Sequence, residues 1–286
     1  MKIGIIGQGF VGSAIREGLK NFYEILTYDI DSNKCLNTHR EVCTQSDIIF
    51  VCVPTPMRLS GECDTRILEG VVTKINQECK ADNNKNRPTL VLKSTIPPGT
   101  TRKINEIATV LDVCFSPEFL TEANSFDDFK NQTRIIIGYE GSNKKAAAKK
   151  VKHMFTKPFP SIPIVITDWG TAEMVKYFTN CFLASKVTFA NQMFQICNDN
   201  NIDYDKVCEY ALYDERIGKS HLAVPGPDGD LGFGGHCFPK DLAAMISFGS
   251  ANSGETGFLE AVQEFNNRIR RIRDWEHMKG RAISDD

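Results

Sequence analysis

The sequence predicts an α/β chain: a Rossmann-like, doubly wound parallel sheet followed by an all-α domain built on one long central helix. Three observations predict it. Short apolar runs alternate with amphipathic stretches from residue 2 to about residue 168, the pattern of buried parallel strands with helices on both faces. A G-x-G-x-x-G, from Gly7 through Gly9 to Gly12, stands between the first apolar run and the first amphipathic stretch. From Thr171, about 30 residues then pass without a helix breaker, roughly 45 Å if helical throughout. The expected division is therefore residues 1–168 and 169–286.

The first strand, Lys2 to Ile6, runs into the glycine motif and then into the helical pattern VGSAIREGLKNF. The glycines serve a tight turn, close approach of a pyrophosphate to the backbone, and helix–sheet packing. The next strand, EILTYD, ends in Asp29, 17 residues past Gly12. A carboxylate there accepts hydrogen bonds from ribose hydroxyls and repels a 2′-phosphate, which favours NAD over NADP. Between Asp29 and Ser46 there is room for about one abbreviated helix and strand. IIFVCV is a buried strand that stops at Pro54-Thr55-Pro56, and TLVLKS is another, ending at Ser94-Thr95. Thr55 and Thr95 thus sit at the carboxyl ends of strands, where such sheets bind ligands. An amphipathic helix is expected from Thr65, a loop at ADNNKNRP and a helix from about Thr101. After the strand VCFS, Glu118 and Glu122 are four residues apart, on one face if that segment is helical. RIIIGYE, a helix from Asn143 to Phe155 and PIVITD bring the count to six or seven strands.

In the second half, Met174, Phe178, Phe182, Val187, Phe189 and Phe194 give the long helix apolar surface on more than one side. Such a helix is buried or pairs with another. Lys176 and Asn180 share one of its faces, a lysine and an amide suited to a substrate oxyanion. A short helix (Asp203 to Leu212) and a Pro/Gly-rich loop (Val224 to Gly235) lead to Gly232-Phe233-Gly234-Gly235-His236-Cys237-Phe238-Pro239-Lys240-Asp241. Here one cysteine lies between a glycine turn and a helix start. Pro239 suits a first helical turn. The helix dipole and Lys240 both favour the thiolate of Cys237. The last helix carries Phe258, Val262, Phe265, Ile269 and Ile272 at helical spacing.

Composition narrows the function. A net charge of −2 over 286 residues argues for no polyanionic partner, and the Arg-rich stretch near residue 270 alternates with acids, so no nucleic acid is expected. No run approaches the ~18 apolar residues of a membrane span, and the N-terminus goes directly into a strand pattern. The ten cysteines have irregular spacing and no C-x-x-C, so reduced thiols in a cytoplasm are expected, with no metal site.

Taken in order, GQGFVG, VPTP, KSTIPPGTT, SPEFLTE, RIIIG, AEMVKYFTNCFLA, RIG and GFGGHCFPKD resemble the UDP-glucose/GDP-mannose 6-dehydrogenase family over nearly the whole chain. The resemblance implies NAD-dependent, metal-free oxidation of a nucleotide sugar's C6 alcohol to a carboxylate, with UDP-glucose the expected substrate and GDP-mannose or UDP-N-acetylmannosamine the alternatives. It implies that Cys237 is the nucleophile, Lys176 and Asn180 the oxyanion holders, Asp241 and Thr95 the holders of a water, and Glu122 a base. Gly7, Gly9, Val11, Gly12, Asp29, Lys34, Thr55, Thr95, Glu122 and Lys240 match cofactor contacts. Glu118, Phe119, Leu120, Glu122, Lys176, Asn180, Arg216, His221, Leu222, Val224, Pro225 and Gly234 match substrate contacts. Arg216 matches a residue that reaches across a homodimer interface built on the central helix. The family's usual third, C-terminal domain of roughly a hundred residues is expected to be missing here, where Ala123 also replaces a usual glycine and Gln192 a common glutamate. Two other readings stand beside this one: a non-catalytic nucleotide-binding remnant, and a one-step β-hydroxyacid dehydrogenase, which has no need of Cys237.

Overall fold

The computed structural model describes residues 1–82, 87–141 and 145–284. The centre of the ADNNKNRP loop and the expected helix start at Asn143 lie outside the described residues. Packing divides the chain into two units, Met1–Thr55 with Thr65–Lys176, and Pro56–Asp64 with Tyr177–Asp286.

In the first unit, seven strands form one sheet: β1 (Lys2–Ile6), β2 (Glu24–Tyr28), β3 (Ile48–Val51), β4 (Thr89–Leu92), β5 (Asp112–Phe115), β6 (Ile135–Gly138) and β7 (Ile164–Thr167). Their order is β2-β1-β3-β4-β5-β6-β7. The side-chain period of two splits each central strand between two cores. Ile49 and Val51 face the helices α2 (His39–Gln45), α3 (Arg66–Ala81) and α4 (Thr100–Ile107). Ile48 and Phe50 face α1 (Phe10–Leu19), α5 (Ser125–Lys130) and α6 (Lys145–Thr156). This is the doubly wound Rossmann-like arrangement.

Two expectations need correction. The sheet is not wholly parallel, because β6 joins β5 antiparallel through Phe115 and Gly138, and β7 then runs parallel to β6. A parallel return needs a long crossover, and α5, with six residues, rises only about 9 Å. The stretch from Asp29 to Ser46 holds a 3₁₀ turn (Ser32–Lys34) and α2 but no strand. Leu36 and Asn37 both donate from the backbone to the Thr27 carbonyl, and Thr38 at once opens α2 with a capping box completed by Glu41. Too few residues remain between these ties for a strand.

The second unit is helical: most of α7 (Trp169–Asp199), with α8 (Tyr204–Ala211), α9 (Phe238–Ala251) and α10 (Gly257–Ile269). Cys181 and Ala184 of α7, Leu242 of α9, Val262 of α10 and Phe233 form its main core, and Ala190 and Cys197 pack with Tyr204 of α8. Residues 56–64 belong here as well. The Met57 backbone donates to the Ala282 carbonyl and accepts from the Ser284 amide, both at 2.8 Å, and the Ser284 hydroxyl donates to Asp64.

Candidate active site

In the first unit, the glycine loop is built by close approach. Gly7 has φ +92°, and a Cβ on Gly12 would stand 1.9 Å from the Gly7 carbonyl oxygen, so only glycine lets α1 pack there. Gly9 is the opposite case: nothing lies within 4 Å of where its Cβ would be, and it heads α1 without any side-chain cap. A helix N-terminus with no side-chain cap and open space at Gly9 suits a pyrophosphate. The Asp29 carboxylate accepts from the Gln8 amide and, at 2.9 Å, from Asp31, which holds the end of β2 against the glycine loop. The Thr55 hydroxyl donates to the Thr95 carbonyl at 2.7 Å and so ties two strand ends together. These residues fit a dinucleotide. Lys34 is exposed and pairs with Asp31 at 3.5 Å.

Beyond β5 the chain is not helical from Ser116 to Thr121, so Glu118 and Glu122 do not share a helix face. Pro117 sits in this loop, and the two acids part company: Glu118 is buried and Glu122 is exposed. Glu118 accepts from Lys176 at 2.9 Å and from the Leu120 amide at 2.7 Å. Lys176 also lies 5.8 Å from the Phe119 ring centre, which Arg134 covers at 4.0 Å. Val11, Phe119, Leu120 and Arg134 line a cavity of about 290 Å³.

Lys93, which also lines that cavity, was not singled out in the sequence. Its ammonium donates to the Pro117 carbonyl at 2.9 Å and pins the start of the Glu118 loop. Burial pushes Lys93 down to about 8, against the pull of Glu118 and Cys52 and with a further push from Lys176. The signal was present in TLVLKS: a lysine inside an otherwise apolar buried strand has to find internal partners.

In the second unit, Cys237 occupies the N-cap position of α9, half-buried, with Pro239 in the first turn. Asp241 is buried and receives Lys240, its neighbour in sequence, and Asn180 of α7. Lys240 donates to one carboxylate oxygen and Asn180 to the other, at 2.6 Å. Burial opposes the charge of Lys240, yet the Asp241 carboxylate, with contributions from Cys63 and Cys237, holds it above the ordinary lysine range. Among the other thiols, burial pushes Cys52 and Cys181 up to about 12 and Cys79 up to about 11. None of the ten cysteines forms a disulfide.

The remaining residues are spread along the loop before α9. Leu222 and Val224 pack on the Ala190–Cys197–Tyr204 cluster, and the Leu222 carbonyl accepts from the Tyr204 hydroxyl at 2.8 Å. His221 takes a left-handed φ of +65°, and Pro225 is exposed. Arg216 is 90% exposed and folds onto Asp214. The structure thus gathers Lys176 with Glu118 and Phe119 in one unit, and Asn180 with Asp241 and Lys240 beside Cys237 in the other. It leaves Lys34, Glu122 and Arg216 at the surface.

Residues 34–156 match the UDP-glucose/GDP-mannose dehydrogenase family, NAD binding domain, and residues 170–268 match the central domain of the same family. The chain belongs to that family. Its cofactor is NAD, and the glycine loop and Asp29 lie just ahead of the first matched segment. Among similar proteins, MJ1054 of Methanocaldococcus jannaschii, an uncharacterized protein, is 33% identical over 87% of this chain, which spans 30% of its length. YtcA of Bacillus subtilis, a putative UDP-glucose 6-dehydrogenase, is 30% identical over 93% of this chain and 67% of its own length. The structure of a UDP-glucose dehydrogenase from Pyrobaculum islandicum superposes with a TM-score of 0.81 at 27% identity, over 93% of this chain and 68% of that one. Among the described residues no helix is long and apolar enough to cross a membrane.

Proposed function

We propose that the chain oxidises the C6 hydroxymethyl of a nucleotide sugar to a carboxylate in two steps, with UDP-glucose as substrate and Cys237 as nucleophile. Bound NAD supplies the two-electron acceptor, and one molecule is needed for each step. The observation that carries the reading is the setting of Cys237: a thiol at a helix N-terminus, with Lys240 and the Asn180–Asp241 pair beside it. Such a thiol is the kind that adds to an aldehyde near neutral pH.

The proposed sequence begins with oxidation of the alcohol to the aldehyde. The Cys237 sulfur then forms a bond to the aldehyde carbon, and the carbonyl oxygen becomes the hydroxyl of a thiohemiacetal. Loss of a hydride from that carbon and of the proton from its hydroxyl leaves a thioester. Water breaks its C–S bond, releasing the sugar acid and restoring the thiol. Lys176 and Asn180 donate to the oxygen at C6 as charge builds on it. Asp241 and Thr95 hold the water, and Glu122 takes its proton. Glu118, Phe119 and Leu120, with the loop residues from Arg216 to Gly234, bind the sugar nucleotide.

A homodimer belongs to the same proposal. What supports it is a row of exposed apolar side chains on α7, with Phe178, Phe182 and Phe189 each more than half exposed and Ile196 continuing the row.

The test is stoichiometry on a panel of UDP-glucose, UDP-galactose, GDP-mannose and UDP-N-acetylmannosamine. Two NADH per sugar acid are expected on one of them, with Cys237→Ser blocking completion. A ratio of one defeats the thioester route, and absence of turnover with NAD binding intact favours a binding role.

A further inference from the structure

The four residues before His236 are held in an unusual way. Loop backbone is ordinarily solvated, but between Gly232 and Gly235 four backbone polar groups are taken by side chains of α7, α10 and Asp274. Asn191 of α7 accepts from the Gly232 amide at 3.0 Å. Asn266 of α10 accepts from the Phe233 amide at 2.8 Å and donates to the Phe233 carbonyl at 3.0 Å, which holds the peptides on both sides of that residue. Asp274 accepts from the Gly235 amide with both oxygens, at 3.1 and 3.0 Å.

The packing leaves no slack. A Cβ on Gly232 would stand 2.2 Å from the Asn266 oxygen, and one on Gly234 would stand 2.3 Å from the Arg270 guanidinium and 2.4 Å from the Asp274 carboxylate. Arg270 is 3% exposed and braces the arrangement. It donates to the Leu231 and Ile272 carbonyls, pairs with Asp228 and lies 3.6 Å from Asp274. Arg270 and Asp274 lie beyond residue 268, where the match to the family's central domain ends.

We propose that Asp274, braced by Arg270 and seconded by Asn266, is a positioning residue for Cys237: it fixes the glycine turn so that the thiol is presented at the N-terminus of α9. The inference rests on the assignment of Cys237 as the reacting thiol. Gly232 and Gly235 have φ of +68° and +72°, a conformation that glycine adopts without cost but also leaves easily. Without the clamp the turn samples other conformations, and the sulfur spends less time in the field of the helix terminus and Lys240. Asp274 is one-third exposed, so its replacement does not open a cavity.

The test is the rate at which iodoacetamide alkylates Cys237, followed by site-resolved mass spectrometry from about pH 6 to pH 9 in the full chain. Asp274→Ala is expected to slow alkylation near neutral pH by roughly tenfold and to move the profile up by about one pH unit. Asp274→Asn keeps an acceptor for the Gly235 amide and is expected to stay within about threefold of the parent. Should Asp274→Ala not fold, Asp274→Ser, whose hydroxyl is too short to reach, takes its place. A profile unchanged by the Ala or Ser variant overturns the proposal. So does an Asn variant as impaired as Ala, because the carboxylate would then act by charge alone. Alkylation needs neither nucleotide nor sugar, so it is read separately from turnover. A chain whose alkylation follows this pattern but which oxidises nothing defeats the proposed reaction and sustains the clamp.

Discussion

Lys93 carries the clearest pH signature of any single residue. Its folded pKa of about 8 lies below the ordinary 10.5, so between those values the folded chain has shed a proton that the unfolded chain keeps. Stability therefore rises with pH across that window, and below it the cost of burying the charge is fully present. Lys93→Met is expected to flatten this rise, measured as the difference in melting temperature between pH 8 and about pH 10. The variant also releases the Pro117 carbonyl and with it the Glu118 loop. Cys237 and Asp241 could be grouped in the sequence because they lie four residues apart at a helix start, whereas the bond from Asn180 to Asp241 spans 61 residues and could not be read there. Lys93 was not legible either, since its meaning depends on what lies across the sheet. Nor was the separation of Glu118 from Glu122, which follows from the buried charge of Lys176 claiming the first of them.

Among the elements, α4 is held from outside itself. Its N-cap is Gly99, at φ +90° and with no side chain to offer. The fully buried Glu173, in the first turns of α7, supplies the cap instead, accepting from the Gly99 and Thr101 amides at 2.7 Å and from the Thr101 hydroxyl. Glu173→Ala leaves two buried donors without partners and is expected to cost about 2–4 kcal/mol in urea unfolding. A loss under about 0.5 kcal/mol would mean that water replaces the carboxylate. The strands and long helices were readable because their hydrophobic periods are local. The cap on α4 was hidden because its partner lies 72 residues from Thr101, and the reversal at β6 because a strand's hydrophobic period carries no direction.

For the whole molecule, the exposed row on α7 sets the expected assembly. Phe178 and Phe182 stack with ring centres 6.3 Å apart and planes within 8°, a flat apolar face that water covers poorly. Placing glutamate at both positions is expected to halve the mass measured by light scattering while leaving the far-UV circular dichroism unchanged. An unchanged mass removes this helix from the interface.

The nine residues from Pro56 to Asp64 have a consequence for how the chain is made. Their partners are near the other end, and Asp64 waits 220 residues for Ser284. At about 5–20 residues per second, a ribosome takes on the order of ten to forty seconds to deliver it. During that interval β4 to β7 are made, while the segment between β3 and α3 still lacks its partners at Ala282 and Ser284. The segment from Pro56 to Asp64 thus gains these bonds only after residues 282–284 have been made.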